Sequence, residues 1–155
     1  SLEKDNKARI ISNAGGYQSD VFSMADPLIN KFWFEILPSV QQYVSLYNIG
    51  YNYDTVLDNL WFNVNRKHNY NHTHNHPGSE FSGVYYLQAP NESGNITFNN
   101  PDKATSCIPF YNKPFSSYNE FNSLQYHITP KKGMLILFPA HLEHCVDMNN
   151  SDEPR

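Results

Sequence analysis

A change of hydrophobic periodicity after the first third of the chain constrains the fold more than any other feature of the sequence. Between residues 28 and 47, apolar and aromatic residues recur mostly three and four positions apart, which predicts an amphipathic helix. Asp26 and Pro27 precede this stretch as N-cap and first helical residue, and Pro38 is expected to bend or divide the helix. Later in the chain, short apolar runs separated by turn residues predict strands. These runs are residues 60–64, 81–88, 95–98, 124–129, 133–138 and 144–148.

One helix followed by many short strands predicts a mainly β fold, a sandwich or barrel with the N-terminal helix packed on its outside. The polar residues 1–22 are expected to form an irregular lead-in. A chain of 155 residues can bury a core without disulfides or a structural metal, but has no room for a second large domain. We therefore expect residues 1–155 to form a single domain.

Charge and cysteine content exclude several classes of partner. The net charge is -4, and the Lys and Arg residues are scattered, so no basic face for nucleic acid or for a membrane surface is expected. The longest apolar run, residues 134–140, is too short to span a bilayer. Cys107 and Cys145 fit no paired framework, which favours a reducing compartment. The sequence thus predicts a soluble, cytoplasmic protein that binds neither nucleic acid nor membrane.

Residues 99–122 form a long Pro-, Asn- and Ser-rich segment, which indicates a lid or a specificity loop. Aromatic residues in this segment are candidates to clasp a substrate or a second subunit, so a homodimer is one interpretation. They are Phe110, Tyr111, Phe115, Tyr118 and Phe121.

Alternating histidines suggest a metal site. In an extended strand, residues two apart share a face, so His74 and His76 can converge on one ion. Neutral imidazole is a good ligand for divalent first-row metals. His72 shares the same face but lies too far along the strand to complete the same coordination sphere. The third candidate ligand is His144, which opens the strand after the apolar run that ends at Pro139. The alternative interpretation is a surface histidine cluster in a polar loop.

Arg155 is a candidate for binding the far end of a small molecule whose near end binds the metal. A turn centred on Asn149 and Asn150 would make His144 and Arg155 opposite members of an antiparallel pair on one face. The planar guanidinium of Arg155 could then grip a carboxylate with two hydrogen bonds. A molecule bound by a metal at one end and by an arginine at the other is a short dicarboxylate.

Four motifs and a closing arginine occur in an order that resembles the Fe(II)- and 2-oxoglutarate-dependent oxygenases. The motifs are "GGYQS" at residues 15–19, "HNHPGSEFSGVYYL" at 74–87, "SGNITFNNP" at 93–101 and "GMLILFPAHLEHCV" at 133–146. The resemblance implies a double-stranded β-helix, or jelly roll, with Fe(II) at its open mouth. It also implies the co-substrates 2-oxoglutarate and dioxygen, and hydroxylation of an unidentified prime substrate.

The same resemblance assigns residues by position. His74 and His144 are implied iron ligands, Arg155 is implied to bind the distal carboxylate of 2-oxoglutarate, and Tyr85 or Tyr86 is implied to line that pocket.

Two departures from the family pattern affect these assignments. Most of these oxygenases carry a carboxylate two residues after the first histidine, and His76 occupies that position here. Either His76 completes a set of three histidines, which strand geometry favours, or Glu80 supplies the carboxylate. Family members also continue past the arginine into a final strand, so a domain truncated after Arg155 is expected.

Two other functions fit the same residues. His74, His76 and Glu80 also have the His-x-His-x3-Glu spacing that resembles a cupin, which could be a dioxygenase, an isomerase or a small-molecule binder without 2-oxoglutarate. A cupin has no need of Arg155. A structural zinc site or an iron-free binding domain is the third interpretation. It predicts an ion without an open coordination position and no co-substrate pocket.

Overall fold

The structure is a computed structural model that describes residues 9–50, 53–102, 115–119 and 122–155. Within these residues the chain is mainly β with one helix and antiparallel sheets, which confirms the predicted secondary-structure class. The elements are β1 (Asn13–Ala14), β2 (Tyr17–Gln18), α1 (Pro27–Ser45), β3 (Asn63–Val64), β4 (Tyr70–His74), β5 (Phe81–Tyr85), β6 (Ile96–Asn99), β7 (Gln125–Ile128), β8 (Leu135–Pro139) and β9 (His144–Val146).

The helix begins where the sequence predicts. The Asp26 side chain accepts a hydrogen bond from the backbone N–H of Leu28 at 2.8 Å, and Pro27 is the first helical residue. Capping of this kind satisfies one of the backbone donors that have no partner inside the helix. The helix runs through Pro38 without interruption, so it is not divided at this proline, and the alternative expectation of a bend stays a prediction.

Two further predictions about the strands need correction. Residues 1–22 were expected to be irregular, but β1 and β2 both lie in this segment. Asn13 and Ala14 pair with Asn71 and Tyr70 of β4, and such long-range pairing cannot be read from a two-residue strand. The predicted strands are present but mostly shorter than the apolar runs that marked them. For example, β5 ends at Tyr85, whereas the predicted run continued to residue 88.

Parts of the predicted lid lie outside the described residues. Phe110, Tyr111 and Phe121 belong to this part of the chain, as does Cys107. Phe115 and Tyr118 are described, and their rings contact each other edge to face with centroids 5.9 Å apart. The proposed substrate clasp and the homodimer stay predictions.

The strands form a five-stranded sheet in the order β1-β4-β9-β6-β7, a two-stranded sheet of β5 and β8, and a two-stranded sheet of β2 and β3. Two compact units can be distinguished, Ser1–Arg9 with Tyr17–Asn63 and Ile10–Gly16 with Val64–Arg155. The first unit contains α1, whose Val40 and Val44 are buried. The second contains the five-stranded sheet and the β5–β8 sheet.

The strand pairs of the second unit are nested. Antiparallel pairing joins β6 to β7, β5 to β8 and β4 to β9. In the sequence, β5 and β8 therefore flank the β6–β7 pair, and β4 and β9 flank both of these pairs. Antiparallel pairing of β6 with β9 then joins the innermost pair to the outermost one. This topology brings the end of β4 and the start of β9 together, with His74 opposite His144.

The core of the second unit lies between its two sheets. Ile96 and Phe98 of β6 pack with Phe138 of β8, and all three side chains are buried. Partly buried side chains from both sheets surround them, as in a β-sandwich. They are Val84, Ile128, Ile136 and Leu142.

Two properties bear on the cellular environment. In the part of the chain that the structure describes, α1 lacks the apolar length needed to cross a membrane. Cys145 is a free thiol and is partly buried. The cytoplasmic location inferred from the sequence stays a prediction.

Candidate metal centre

His74, His76 and His144 come together at one end of the second unit. Each offers a ring nitrogen, and these nitrogens lie within 4.8 Å of one another. We call these three residues the histidine cluster. The ring centroids of His74 and His144 are 4.3 Å apart, and the centroid of His76 is 5.1 Å from each of the other two. Three imidazoles at this spacing can converge on a single ion.

Different backbone interactions place the three rings. His74 is the last residue of β4 and stands opposite His144, the first residue of β9, so cross-strand pairing puts the two rings on one face. His76 follows the end of β4 and is held by its backbone N–H, which donates to the carbonyl of Ala140 at 2.9 Å. The cluster therefore depends on the register of β4 and β9 and on one loop hydrogen bond.

The tautomers of His74 and His144 are fixed by backbone carbonyls. The Nδ1–H of His74 donates to the carbonyl of His72 at 2.7 Å, and the Nδ1–H of His144 donates to the carbonyl of Leu142 at 2.9 Å. A carbonyl can only accept, so each Nδ1 must carry the proton. The Nε2 lone pairs of both rings are therefore the ones available to a metal, an orientation typical of metal-binding histidines.

Aromatic side chains surround the most buried member of the cluster. His144 is only 2% exposed, and its ring centroid lies 4.7 Å from that of Phe138 and 5.7 Å from that of Phe98. Burial lowers the pKa of His144 to about 4, and it also lowers the pKa values of His74 and His76. All three imidazoles are neutral at pH 7, as metal ligation requires.

This burial predicts how the stability of the metal-free protein depends on pH. Between the ordinary histidine pKa of 6.5 and about 4, the buried His144 binds fewer protons in the folded chain than in the unfolded chain. The free energy of unfolding should therefore fall as the pH drops through this window. We expect thermal unfolding of metal-free protein to show this loss, and His144→Gln to have a weaker pH dependence. If stability falls equally with pH in the wild-type protein and in His144→Gln, His144 is not the group that causes the loss.

The other candidate ligands lie outside the cluster. Glu80 is exposed and is not part of the group, although its backbone carbonyl accepts a hydrogen bond from the N–H of Ala140 at 3.0 Å. His72 is also exposed, and it contributes its backbone carbonyl to His74 rather than its ring. His141 is not part of the group either.

Arg155 lies beside a different segment of the chain from the one expected. The sequence predicted an antiparallel pair with His144, but Arg155 instead exchanges two backbone hydrogen bonds with Asn65, at 2.8 and 2.9 Å. The reason is Asn149, which is fully buried and does not form a two-residue hairpin turn. Its side-chain amide donates to the carbonyls of Asn65 and Glu153, both at 2.9 Å, and so carries the chain alongside Asn65.

The guanidinium of Arg155 is buried and only partly satisfied. Its Nη1 donates to the backbone carbonyl of Ser93 and is 3.4 Å from those of Gly94 and Asp147. Its Nη2 is buried and has no hydrogen-bond partner among the residues that the structure describes, and the same is true of the phenol oxygen of Tyr86. Burial raises the pKa of Tyr86 to about 12, although the charge of Arg155 acts in the opposite direction. Arg155 and Tyr86 thus each have a buried polar atom without a partner among the described residues, and we call them the Arg155/Tyr86 pair.

The structure distinguishes the two neighbouring tyrosines. Tyr85 is 39% exposed whereas Tyr86 is 6% exposed, as expected for successive residues of an extended chain, which point to opposite faces. Of the two, Tyr86 is buried, and its hydroxyl has no hydrogen-bond partner in the part of the chain that the structure describes.

Sequence reasoning missed a polar chain beside the cluster. The Ser12 hydroxyl lies 3.5 Å from Nε2 of His74 and accepts a hydrogen bond from the Asn71 amide at 3.1 Å. The Asn71 side chain in turn accepts from the Asn65 amide at 2.8 Å. All three polar residues are buried. Ser12, Asn65 and Asn71 lie outside the four motifs that carry the resemblance, so the sequence contained no signal for this polar chain.

Comparison with known proteins identifies a family. A family model described as "Putative 2OG-Fe(II) oxygenase" matches residues 59–155, which include all three members of the histidine cluster and both members of the Arg155/Tyr86 pair. A search of curated proteins finds no match to the chain.

Proposed function

Because this chain belongs to the 2OG-Fe(II) oxygenase family, we propose that it is a non-haem Fe(II)- and 2-oxoglutarate-dependent dioxygenase that hydroxylates a prime substrate. The observation that carries the proposal is the histidine cluster, whose three ring nitrogens lie within 4.8 Å of one another. The buried Arg155/Tyr86 pair, with its unsatisfied donors, supports the co-substrate assignment.

The donor set fits Fe(II). His74, His76 and His144 would hold the ion, and imidazole nitrogen is a usual ligand of iron in proteins. Three neutral histidines add no charge, so the metal would rely on the co-substrate for neutralisation. Glu80 remains the alternative third ligand to His76, but it is exposed and would have to turn towards the cluster.

The Arg155/Tyr86 pair fits a carboxylate. A buried guanidinium nitrogen and a buried phenol without partners are costly, because each has lost its hydrogen bonds to water. A carboxylate bound there would offer both groups an acceptor, and hydrogen bonds to charged groups are the stronger kind. We therefore propose that Arg155 and Tyr86 bind the distal carboxylate of 2-oxoglutarate. Tyr85, which is more exposed, would lie outside this contact.

The residues of the chain would bind the metal, orient its histidine ligands and shield the metal from water. When bound, Fe(II) supplies the activation of dioxygen, coupled to oxidative decarboxylation of 2-oxoglutarate and hydroxylation of the prime substrate. The carbonyls of His72 and Leu142 keep Nδ1 of His74 and His144 protonated and orient both rings. Phe98 and Phe138 cover His144 and would exclude water from its side of the metal.

We also propose that the second unit is a double-stranded β-helix, or jelly roll. In this fold a long antiparallel hairpin is rolled up, so its strand pairs are nested and its ends meet. The nested pairs β6–β7, β5–β8 and β4–β9, with the additional β6–β9 pairing, support this topology.

A metal-binding cupin that does not use 2-oxoglutarate is the alternative. It shares the topology and the histidines, and it would place Glu80 on the ion. It gives no role to the buried Arg155 guanidinium, whose Nη2 would stay unsatisfied. The family match also favours the oxygenase over the cupin.

Anaerobic titration of Fe(II)-loaded protein with 2-oxoglutarate tests the proposal. We expect a visible metal-to-ligand charge-transfer band that saturates at one equivalent, because the 2-oxo group and its carboxylate chelate the metal. Protein that is folded and iron-loaded but gives no band would favour the cupin or a binding module.

A further inference from the structure

The Ser12 hydroxyl is held against the histidine cluster by its surroundings. The carbonyl of Ser12 accepts a hydrogen bond from the N–H of His72 at 2.8 Å, and the next two residues pair with β4. The side chain of Asn13 closes the following turn by donating to the carbonyl of Gly16 at 2.7 Å. Ser12 is 8% exposed. These contacts fix the backbone of Ser12 and leave its hydroxyl facing Nε2 of His74.

The direction of the hydrogen bonds at Ser12 follows from the orientation of the Asn65 and Asn71 side-chain amides. The amide nitrogen of Asn65 donates to the Asn71 oxygen, so the Asn71 amide nitrogen is left to donate to the Ser12 oxygen. The hydroxyl proton of Ser12 therefore remains to be donated elsewhere. On that side, Nε2 of His74 lies 3.5 Å from the hydroxyl oxygen, a long and weak contact.

Metal binding would remove that acceptor. Nε2 is the free lone pair of His74, because its Nδ1 donates to the carbonyl of His72. A metal on Nε2 would use this lone pair, and the buried Ser12 proton would need a new acceptor close to the metal. An oxygen of an anionic ligand on the metal satisfies it best, since hydrogen bonds to charged acceptors are shorter and stronger.

We propose that Ser12 positions the co-substrate by donating a hydrogen bond to the metal-bound carboxylate end of 2-oxoglutarate. This inference rests on the proposed function and adds a residue at the opposite end of the co-substrate from Arg155. The same polar chain reaches both ends, since Asn65 exchanges two backbone hydrogen bonds with Arg155 and begins the side-chain relay to Ser12. The relay would fix the hydroxyl relative to the arginine.

The test compares Ser12→Thr with Ser12→Val, which have nearly the same shape but differ in the hydroxyl. Fe(II) affinity and the affinities of 2-oxoglutarate and 2-oxobutanoate are measured anaerobically by the charge-transfer band. We expect Ser12→Val to weaken both oxoacids about tenfold or more, as for loss of a charged hydrogen bond. Fe(II) affinity should stay within about threefold, because the hydroxyl is not a metal ligand. Ser12→Thr should restore most of the oxoacid affinity.

The two oxoacids separate this role from that of Arg155. 2-Oxobutanoate has the metal-binding end but lacks the distal carboxylate, so it should respond to Ser12→Val and not to Arg155→Ala. Ser23→Ala is the control, since Ser23 is an exposed serine in the other unit. Ser12→Ala gives a smaller side chain for the same measurement if the valine variant does not fold.

Three results would overturn the inference. Unchanged oxoacid affinity in folded Ser12→Val or Ser12→Ala would show that Ser12 donates no hydrogen bond to the co-substrate. Equal loss of Fe(II) and oxoacid binding in both Ser12→Thr and Ser12→Val would make Ser12 a structural residue. No band in the wild-type protein would refute the proposed function itself, and it is seen before any variant is compared.

Discussion

Replacing His144 with alanine should abolish stable Fe(II) binding. His144 is the most buried member of the cluster at 2% exposure, and it is the only one contributed by β9. Loss of an outer contact to a metal ligand typically weakens binding about 10- to 100-fold, and loss of the ligand itself should exceed this. Anaerobic Fe(II) titration of purified variant and wild type measures the effect directly.

His72→Ala is the matched control for this variant. His72 lies on the same strand as His74, its ring is exposed, and its contact with His74 uses the backbone carbonyl, which the substitution keeps. The control should bind Fe(II) within about threefold of wild type, as expected for a surface change away from a ligand. If His144→Ala folds and binds Fe(II) as well as the control does, the histidine cluster is not the metal site.

Replacing Arg155 with alanine should weaken 2-oxoglutarate binding by about 30-fold or more while Fe(II) binding persists. The guanidinium is buried and no described residue pairs with its Nη2, so a carboxylate there would be desolvated and directly paired. Removing one member of such a pair typically costs about 2 kcal/mol or more, which corresponds to this factor. Titration of the charge-transfer band with 2-oxoglutarate gives the affinity.

Arg66→Ala is the control, because Arg66 follows Asn65 directly but is exposed. It should leave the affinity for 2-oxoglutarate unchanged. Arg155→Ala should also reduce the preference for 2-oxoglutarate over 2-oxobutanoate, which carries no distal carboxylate. A band that forms with wild-type affinity in Arg155→Ala would leave the enzyme class standing but refute the assigned role of the arginine.

Local rules predicted the parts of the fold that depend on short stretches of sequence. The cap at Asp26 and the first turn at Pro27 follow from side-chain and ring chemistry, and the structure has both. Strand periodicity placed His74 and His76 on one face, and the position of His144 after the apolar run that ends at Pro139 made it the third candidate ligand. Their convergence depends on the long-range pairing of β4 with β9, which periodicity alone does not specify.

The features that sequence reasoning missed depend on buried polar groups. Asn149 was interpreted as a turn residue, but it is fully buried and directs Arg155 to Asn65 instead of to His144. Ser12 was placed in an irregular segment, because a two-residue strand has too little pattern to be recognised. In each case tertiary hydrogen bonds override the local propensity of a polar residue.

The resemblance left two choices open, one between Tyr85 and Tyr86 and one between His76 and Glu80. Successive strand residues had to face opposite ways, so either Tyr85 or Tyr86 could be internal, and Tyr86 is the buried one. Between His76 and Glu80, the cluster contains His76. Which of the two binds the metal stays a proposal.

Anomalous diffraction at the iron absorption edge, from anaerobic crystals containing Fe(II) and 2-oxoglutarate, would locate both the metal and the co-substrate. We expect one iron peak roughly 2 Å from a ring nitrogen of each of His74, His76 and His144, the usual metal–imidazole bond length. We also expect the distal carboxylate of 2-oxoglutarate against Arg155 and Tyr86. An iron peak away from the cluster, or a 2-oxoglutarate molecule that leaves the Arg155 guanidinium without a carboxylate, would contradict these assignments.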